Sequence, residues 1–500
     1  MAGAMRRTKI VVTLGPATAG PGVVAALVAE GMDVARVNLS HGCPEEHRAA
    51  IAAVRAAAQA AGREIGVMVD LPGPKLRLGE LAGPVELSLK QRVRVGDGGD
   101  LPVTFPDLLG HLAVGQRVLI DDGAVELVVV EAGERPVLEV VVPGTVSSGK
   151  GVNLPDAALP IPALTSRDEE LLRSGLAEDA DLVAMSFVRS AEDVRRLKAL
   201  IAAAGGDQLV VAKIEKREAL AAIDQIVASA DAVMVARGDL GVEIPPAEVP
   251  LWQKRIVARA RACGKPVITA TQMLQSMIAA PRPTRAEASD VANAILDSTD
   301  AVMLSGETAV GAYPVEAVRT MAEIAAAVER EVMAGTAPDR PLPEPDDAAL
   351  RPDRPSPPAM SASVLGAPTP AVACGTASPG RVTEAISSGA CAVARKVGAA
   401  AIVTATVSGA MGRAVARHRP PEPVVALTPR RRTARQLALS WGVLPVYREP
   451  VRELDGLMTE AASAACATGL ASPGDSLVIT CGMHVFESGG TNLIKVHTID

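Results

Sequence analysis

Residues 208–245 read QLVVAKIEKREALAAIDQIVASADAVMVARGDLGVEIP: a strand, a helix and a second strand. Each strand ends in charge, at Lys213 with Glu215 and at Arg237 with Asp239. Side chains of a strand alternate between faces, so Val211, Lys213 and Glu215 share one side while Ala212 and Ile214 take the other. A cation and a carboxylate therefore leave one strand end together, and Asp239 arrives one βα unit later beside Gly238 and Gly241. Two carboxylates on neighbouring strand ends can share a hard divalent ion and leave positions for water and substrate oxygens, as Mg2+ prefers. The turn after Arg237 leads towards a helix or tight turn, whose free N–H groups can receive an anion. A buried ion-pair network is the other reading of the same charges, and this stretch leaves both open.

The βα rhythm extends in both directions. Strands are expected at 9–14, 32–38 and 64–70, with helical stretches at 22–30 and 45–61. From about 73 to 156 the helical period disappears and Gly/Pro-punctuated β segments take over, which reads as an inserted all-β domain. The rhythm resumes with a helix at 167–175 and strands at 182–186, 209–214, 232–236, 267–270 and 301–304. Eight βα units with polar residues at the strand C-termini describe an α/β fold, a (β/α)8 TIM barrel with its site on that face. A doubly wound sheet competes, but it has fewer strands, and no G-x-G-x-x-G follows a strand here. A Pro-rich stretch, 335–370, reads as a linker. Beyond it, helices at 381–397, 412–417 and 433–441 alternate with strands at 401–404, 424–427 and 444–447, and two last strands fall near 476–480 and 492–498. The expected organisation is therefore barrel 1–72, β lid 73–157, barrel 158–334, linker 335–370 and a C-terminal α/β domain 371–500.

Composition excludes some partners. Apolar residues make up 48% and aromatic ones 1%, so alanine fills much of the core. The net charge of −7 is spread along the chain, and no basic run is interleaved with aromatics, which argues against nucleic acid. No apolar run reaches transmembrane length, so no membrane partner is expected. The start offers a short apolar run, but Lys9 interrupts it and Gly15-Pro16 ends it, which suits a strand better than a signal peptide. Six scattered cysteines without a C-x-x-C pair argue against zinc and a disulfide framework, and for a cytoplasmic protein.

Other strand ends carry related chemistry. Arg36, Asn38 and Ser40 share a face, and a guanidinium fork suits phosphoryl oxygens. Asp70, Lys75 and Arg77 stand at the hinge of the insertion; Thr269, Thr271 and Gln272 end the seventh strand, and Ser305, Glu307 and Thr308 the eighth. His41 reads equally as a nucleotide contact or a solvated loop histidine. The remaining histidines show no metal spacing and read as surface or structural.

The segments RRTKIVVTLGPAT, GMDVARVNLSHG, VVAKIEK, MVARGDLGVEIP, TATQMLQSMI, RPTRAEASDVANAILDSTDAVMLSGETAVGAYPVEAV and GGTNLIKVHTID resemble the pyruvate kinase family. The resemblance covers most of 5–335 and, more loosely, 380–500. It implies a barrel, a lid inserted after the third strand, a C-terminal α/β domain and a homotetramer. The implied reaction moves the phosphoryl group of phosphoenolpyruvate to ADP, giving pyruvate and ATP. Carried over, Lys213 matches the lysine that neutralises the phosphoryl group in flight and the enolate oxygen. Glu215 and Asp239 match the ligands of Mg2+, with Mn2+ as the alternative ion. Gly238, Asp239 and Thr271 match the holders of the substrate carboxylate, Thr271 or Ser305 the proton route, Arg36 the phosphoryl grip, and Asn38, His41 and Arg77 the ADP side.

The departures matter as much. At the third strand end, Leu71 stands where the family has a K+-contacting threonine, and Lys75 where it has glutamate. Members with that lysine resemble a K+-independent group, so Lys75 is expected to supply the monovalent charge. Pro72 replaces a common lysine. Thr406, Ser408 and Gly409 match a loop that holds an effector phosphate, but the polar pair that usually follows is lost, leaving a sugar-phosphate or AMP effector open. Two rivals stand beside this reading: a catalytically idle regulatory paralogue, and another Mg2+-dependent barrel enzyme acting on phosphoenolpyruvate or an oxoacid.

Overall fold

A computed structural model describes residues 5–157, 161–334, 380–451, 453–483 and 490–500. The expected linker, 335–370, lies outside the described residues. Eight parallel strands close into a barrel: β1 Lys9–Leu14, β2 Val34–Asn38, β3 Gly66–Leu71, β4 Leu182–Met185, β5 Leu209–Ile214, β6 Ala232–Ala236, β7 Val267–Ala270 and β8 Ala301–Leu304. Neighbours in chain order pair, and β8 returns to β1 with Lys9 opposite Ala301. Both faces of each strand are covered, which is why the runs are apolar almost throughout rather than alternating. Alternation still decides direction. Val11, Val34, Met68, Ala184, Val211 and Met234 fill the barrel interior, while Ile10, Val12, Val69 and Ile214 pack outwards beneath the helices. Thin aromatic content is met here by methionine and β-branched side chains.

The chain between β3 and β4 forms a five-stranded antiparallel sheet, ordered Val152–Asn153, Arg117–Ile120, Val125–Glu131, Val137–Val142, Arg92–Arg94. A two-stranded ribbon, Val85–Leu87 with Gly144–Val146, accompanies it. Its separate core gathers Leu78, Leu101, Leu109, Ile120, Leu127 and Leu138. In Val125–Glu131 buried and half-buried residues alternate, as in a sheet with one wet face.

The C-terminal region is a mixed sheet: β9 Ala401–Ala405, β10 Val424–Thr428, β11 Val443–Tyr447, β12 Ser476–Gly482 and β13 Thr491–Thr498, ordered β11-β10-β9-β12-β13 with only β13 antiparallel. Helix Leu454–Ala467 was not among the expected elements, although Leu457, Ala461 and Ala464, with Met458 and Ala465, mark its buried stripe. The helix expected over 433–441 is shifted, to Arg431–Leu437. The reason is tertiary: Ala438 and Leu439 leave the helix to close the bottom of the barrel interior. Around that plug, Arg435 pairs with Asp179 and Asp181, Gln436 donates to Asp181 O, and Lys9 Nζ donates to Val443 O at 2.7 Å. The C-terminal domain thus covers the N-terminal face of the barrel and leaves the other face to the lid.

Among the described residues no helix is long and apolar enough to cross a membrane. Among the described residues Cys43, Cys391, Cys466 and Cys481 are free thiols and Cys263 is disulfide-bonded.

Candidate functional site

Strand ends at the open face of the barrel bring their charges to one place. Lys213, the penultimate residue of β5, is 8% exposed and donates from Nζ to Ser186 Oγ at 2.6 Å. The same nitrogen lies 2.7 Å from Glu215 Oε1 and 3.3 Å from Asp70 Oδ1. Burial works against the Lys213 ammonium, but Asp70 and Glu215 outweigh it and hold its pKa above the ordinary lysine value. It is a permanent cation inside the site. Asp70, 1% exposed at the end of β3, accepts from Arg36 Nε at 2.7 Å through its other oxygen. Burial pushes its carboxyl up; Lys213 and Arg36 prevail and keep it below the usual carboxylate range. Arg36, on β2, also donates to Thr13 Oγ1 at 3.1 Å.

Glu215 follows β5 directly. Its Oε2 accepts the Phe187 N–H at 3.0 Å, and Phe187 holds a left-handed φ of 58° to make that bond. Its Oε1 is buried against the Lys213 ammonium at 2.7 Å. Burial holds the Glu215 carboxyl above the usual range; Lys213 pulls it down, and the negative charge of Asp239 pushes it further up. Two carboxylates that repel one another fit a divalent cation. No group of three or more His, Cys, Asp or Glu side chains is arranged for a metal among the described residues, so the donor set suits an ion that keeps water and substrate oxygens rather than zinc.

Asp239 lies in the first turn of helix Arg237–Glu243, next to β6. Gly238 donates its N–H to Thr271 Oγ1 at 2.7 Å, and Thr271 Oγ1 donates to Ala270 O at the same distance. Thr271 and Gln272 carry φ of 68° and 53°, strained for a β-branched residue above all. Arg237 holds that turn, donating to Thr271 O at 2.7 Å and to Asp290 at 2.8 Å. Ser305, after β8, gives its N–H to Glu307 and keeps a buried Oγ without a partner. Glu307 is fully buried and also accepts from Leu274 N, so it ties the seventh strand end to the eighth.

Lys75, in the hinge, has its Nζ 3.9 Å from Asp239 Oδ1. Arg77 reaches the lid through Gly149 O at 3.0 Å. Asn38 Oδ1 accepts the Ser40 N–H. Burial, with Arg77, Lys75 and Arg36 beside it, lowers the His41 pKa. His47 instead bonds the His41 carbonyl from a buried position, as a structural histidine does. Thr406, Ser408 and Gly409 stand apart, after β9: Gly409 donates to Thr406 Oγ1 at 3.0 Å with φ 77°.

Sequence reasoning missed Ser186, Thr13 and Arg237 as parts of the site. Ser186 carries the available signal, a polar residue at a barrel strand end; Arg237 reads from the sequence only as charge.

Residues 5–318 match the family model described as pyruvate kinase, barrel domain, and 384–497 the one described as pyruvate kinase, alpha/beta domain. The pyruvate kinase of Geobacillus stearothermophilus is 41% identical over 506 residues, covering 99% of this chain and 80% of that protein. That of Clostridium acetobutylicum is 38% identical, covering 99% and 100%, and that of Methylorubrum extorquens 40%, covering 98% and 97%.

Proposed function

The chain belongs to the pyruvate kinase family, and from that premise we propose how its own residues carry the transfer from phosphoenolpyruvate to ADP. The family implies a phosphotransferase with those two substrates and a divalent metal. The observation that carries the residue assignment is the Lys213 ammonium, buried between Asp70, Glu215 and Ser186 at the centre of the open face. In phosphoryl transfer the protein's main lever is placed charge. Lys213 neutralises the moving phosphoryl group and then the enolate oxygen, while Asp70 and Ser186 hold the ammonium in position. Arg36, fixed by Asp70 and Thr13, grips the phosphoryl oxygens. Thr271 and the Gly238–Asp239 turn receive the substrate carboxylate, and Thr271 or Ser305 delivers the proton to the enolate carbon. Asn38, His41 and Arg77 face ADP. Glu215 and Asp239 would hold Mg2+, with Mn2+ as the alternative, and the ion supplies Lewis-acid charge to substrate oxygens.

Lys75 takes the place of K+. Its ammonium stands beside Asp239, where a monovalent cation would otherwise balance the carboxylates, and Leu71 offers no oxygen to such a cation. The domain limits drawn from the sequence, a homotetramer, cytoplasmic location and an effector phosphate at Thr406–Gly409 complete the reading. Pyruvate formation from phosphoenolpyruvate and ADP, with and without a divalent cation, tests it. Turnover that EDTA abolishes and Mg2+ restores is expected. A folded protein that makes no pyruvate, or makes it without a divalent ion, overturns it.

A further inference from the structure

The lid leaves the barrel after β3 and returns ahead of β4, and one buried carboxylate holds both crossings. Asp168, fully buried, stands in the first turn of helix Ser166–Ala177. Its Oδ2 accepts from Thr165 N at 2.8 Å and Thr165 Oγ1 at 2.5 Å, and Thr165 Oγ1 in turn accepts the Asp168 N–H at 3.1 Å. That reciprocal pair is a capping box, and one carboxylate oxygen completes it. The other oxygen reaches 95 residues back along the chain and accepts the Gly73 N–H at 2.9 Å. The box on the next helix, Ala191–Ala203, makes no such reach: Asp193 Oδ2 serves Arg189 N, Ser190 N and Ser190 Oγ beside its own turn. Gly73 is held from its other side as well. It has φ 65°, and a Cβ there would lie 2.7 Å from the ring of Phe187, whose backbone N–H is fixed by Glu215.

Lys75 starts from that fixed point. Its N–H donates to Gly73 O at 2.9 Å, and its aliphatic stem runs past Gly151 of the returning crossing, where a Cβ would lie 3.2 Å from Lys75 Cε. The crossings pair beside it, with Arg77 opposite Gly151 and Val152 N donating to Leu76 O at 2.9 Å. We propose that Asp168 is a positioning residue: by clasping both crossings it sets the backbone from which Lys75 carries its ammonium to Asp239. Helix capping accounts for one oxygen of the carboxylate, and only the hinge accounts for the other. A long, flexible lysine acts as a point charge at a chosen place only if its stem leaves a fixed backbone. This role rests on Lys75 acting as the built-in cation.

Steady-state kinetics in K+-free buffer on a double-mutant cycle test it, with melting to confirm that each variant folds. Asp168→Asn keeps one acceptor oxygen; turned to Thr165 it preserves the cap, and the amide NH2 then faces the Gly73 N–H. Its kcat/KM for phosphoenolpyruvate should fall about tenfold. Asp168→Glu, which also preserves the capping box and moves the second oxygen off Gly73 by a methylene, should show the same loss and reads the clasp if the asparagine variant does not fold. Thr165→Val removes the cap hydroxyl but leaves both backbone donors on Asp168, so it should lose stability and change kcat/KM less than about twofold. In a Lys75→Gln background Asp168→Asn should lower kcat/KM no further. An undiminished loss in that background overturns the clasp alone and leaves Lys75 in its role. Parent-like turnover of Asp168→Asn, or an equal loss in Thr165→Val, does the same. Silence of Lys75→Gln itself overturns the reading of Lys75 and the clasp with it.

Discussion

The two ends of one barrel use the same residue types to opposite ends. At the base each buried carboxylate is surrounded by cations and backbone donors: Asp181 by Arg55, Arg435 and the Val67 N–H, and Asp33 by Arg6, Arg63 and the Ile10 N–H. At the open face burial and the negative charge of Asp239 hold the Glu215 carboxyl above the usual range. The first arrangement sets each carboxylate among opposite charges and serves cohesion; the second sets two carboxylates against each other. Charge clustering alone does not mark a functional site, whereas convergence of like charges does.

Substitutions at the two ends should therefore separate turnover from stability. Lys213→Met is expected to lower kcat about 10³-fold, the scale of removing one charge-stabilising donor. Its melting temperature should fall too, because Asp70 and Glu215 lose a buried partner, so kcat is read per folded molecule. Arg435→Met should cost roughly 3 kcal/mol because Asp181 loses a buried partner, with kcat per folded molecule within about twofold. Urea unfolding and steady-state kinetics on both variants read the contrast; equal effects on both quantities would erase it.

Lys75→Gln comes next. It should lower kcat/KM for phosphoenolpyruvate about 10- to 100-fold in K+-free buffer, with stability unchanged, since that ammonium is a third exposed. Lys9 sharpens the comparison from the base. Its ammonium points into the plugged end, and burial lowers its pKa to about 8. Between about 8 and the ordinary lysine value near 10.5 the unfolded chain holds the extra proton, so this group makes stability rise with pH there. Below pH 8 the charge is a standing cost. Lys9→Met should stabilise the fold at pH 7 by ~1–2 kcal/mol, after allowing for the lost bond to Val443 O, and the gain should vanish near pH 10.5.

What could be read in advance follows the same division. The eight strands were legible because residues buried on both faces leave long apolar runs, and Lys213 with Glu215 because strand alternation fixes their common side. The partners of Lys213 were not: Ser186 and Asp70 reach it only when β3, β4 and β5 lie side by side in the closed barrel. The left-handed backbone at Phe187 and Thr271 has no glycine to announce it, because tertiary hydrogen bonds, to Glu215 and from Arg237, hold it. At 433–441 apolar spacing continued the helix too far, since Ala438 and Leu439 find their burial in another domain. Helix Leu454–Ala467 had its stripe in plain view, and alanine, which fits either state, blurred it.

The most direct test measures pyruvate formation by the intact protein and by Lys213→Met, with phosphoenolpyruvate, ADP and Mg2+, in buffer freed of K+. Full turnover by the parent without K+, unchanged when K+ is added and lost about 10³-fold in the variant, is the predicted result. Turnover strictly dependent on K+, or retained without Lys213, would contradict the account of the open face.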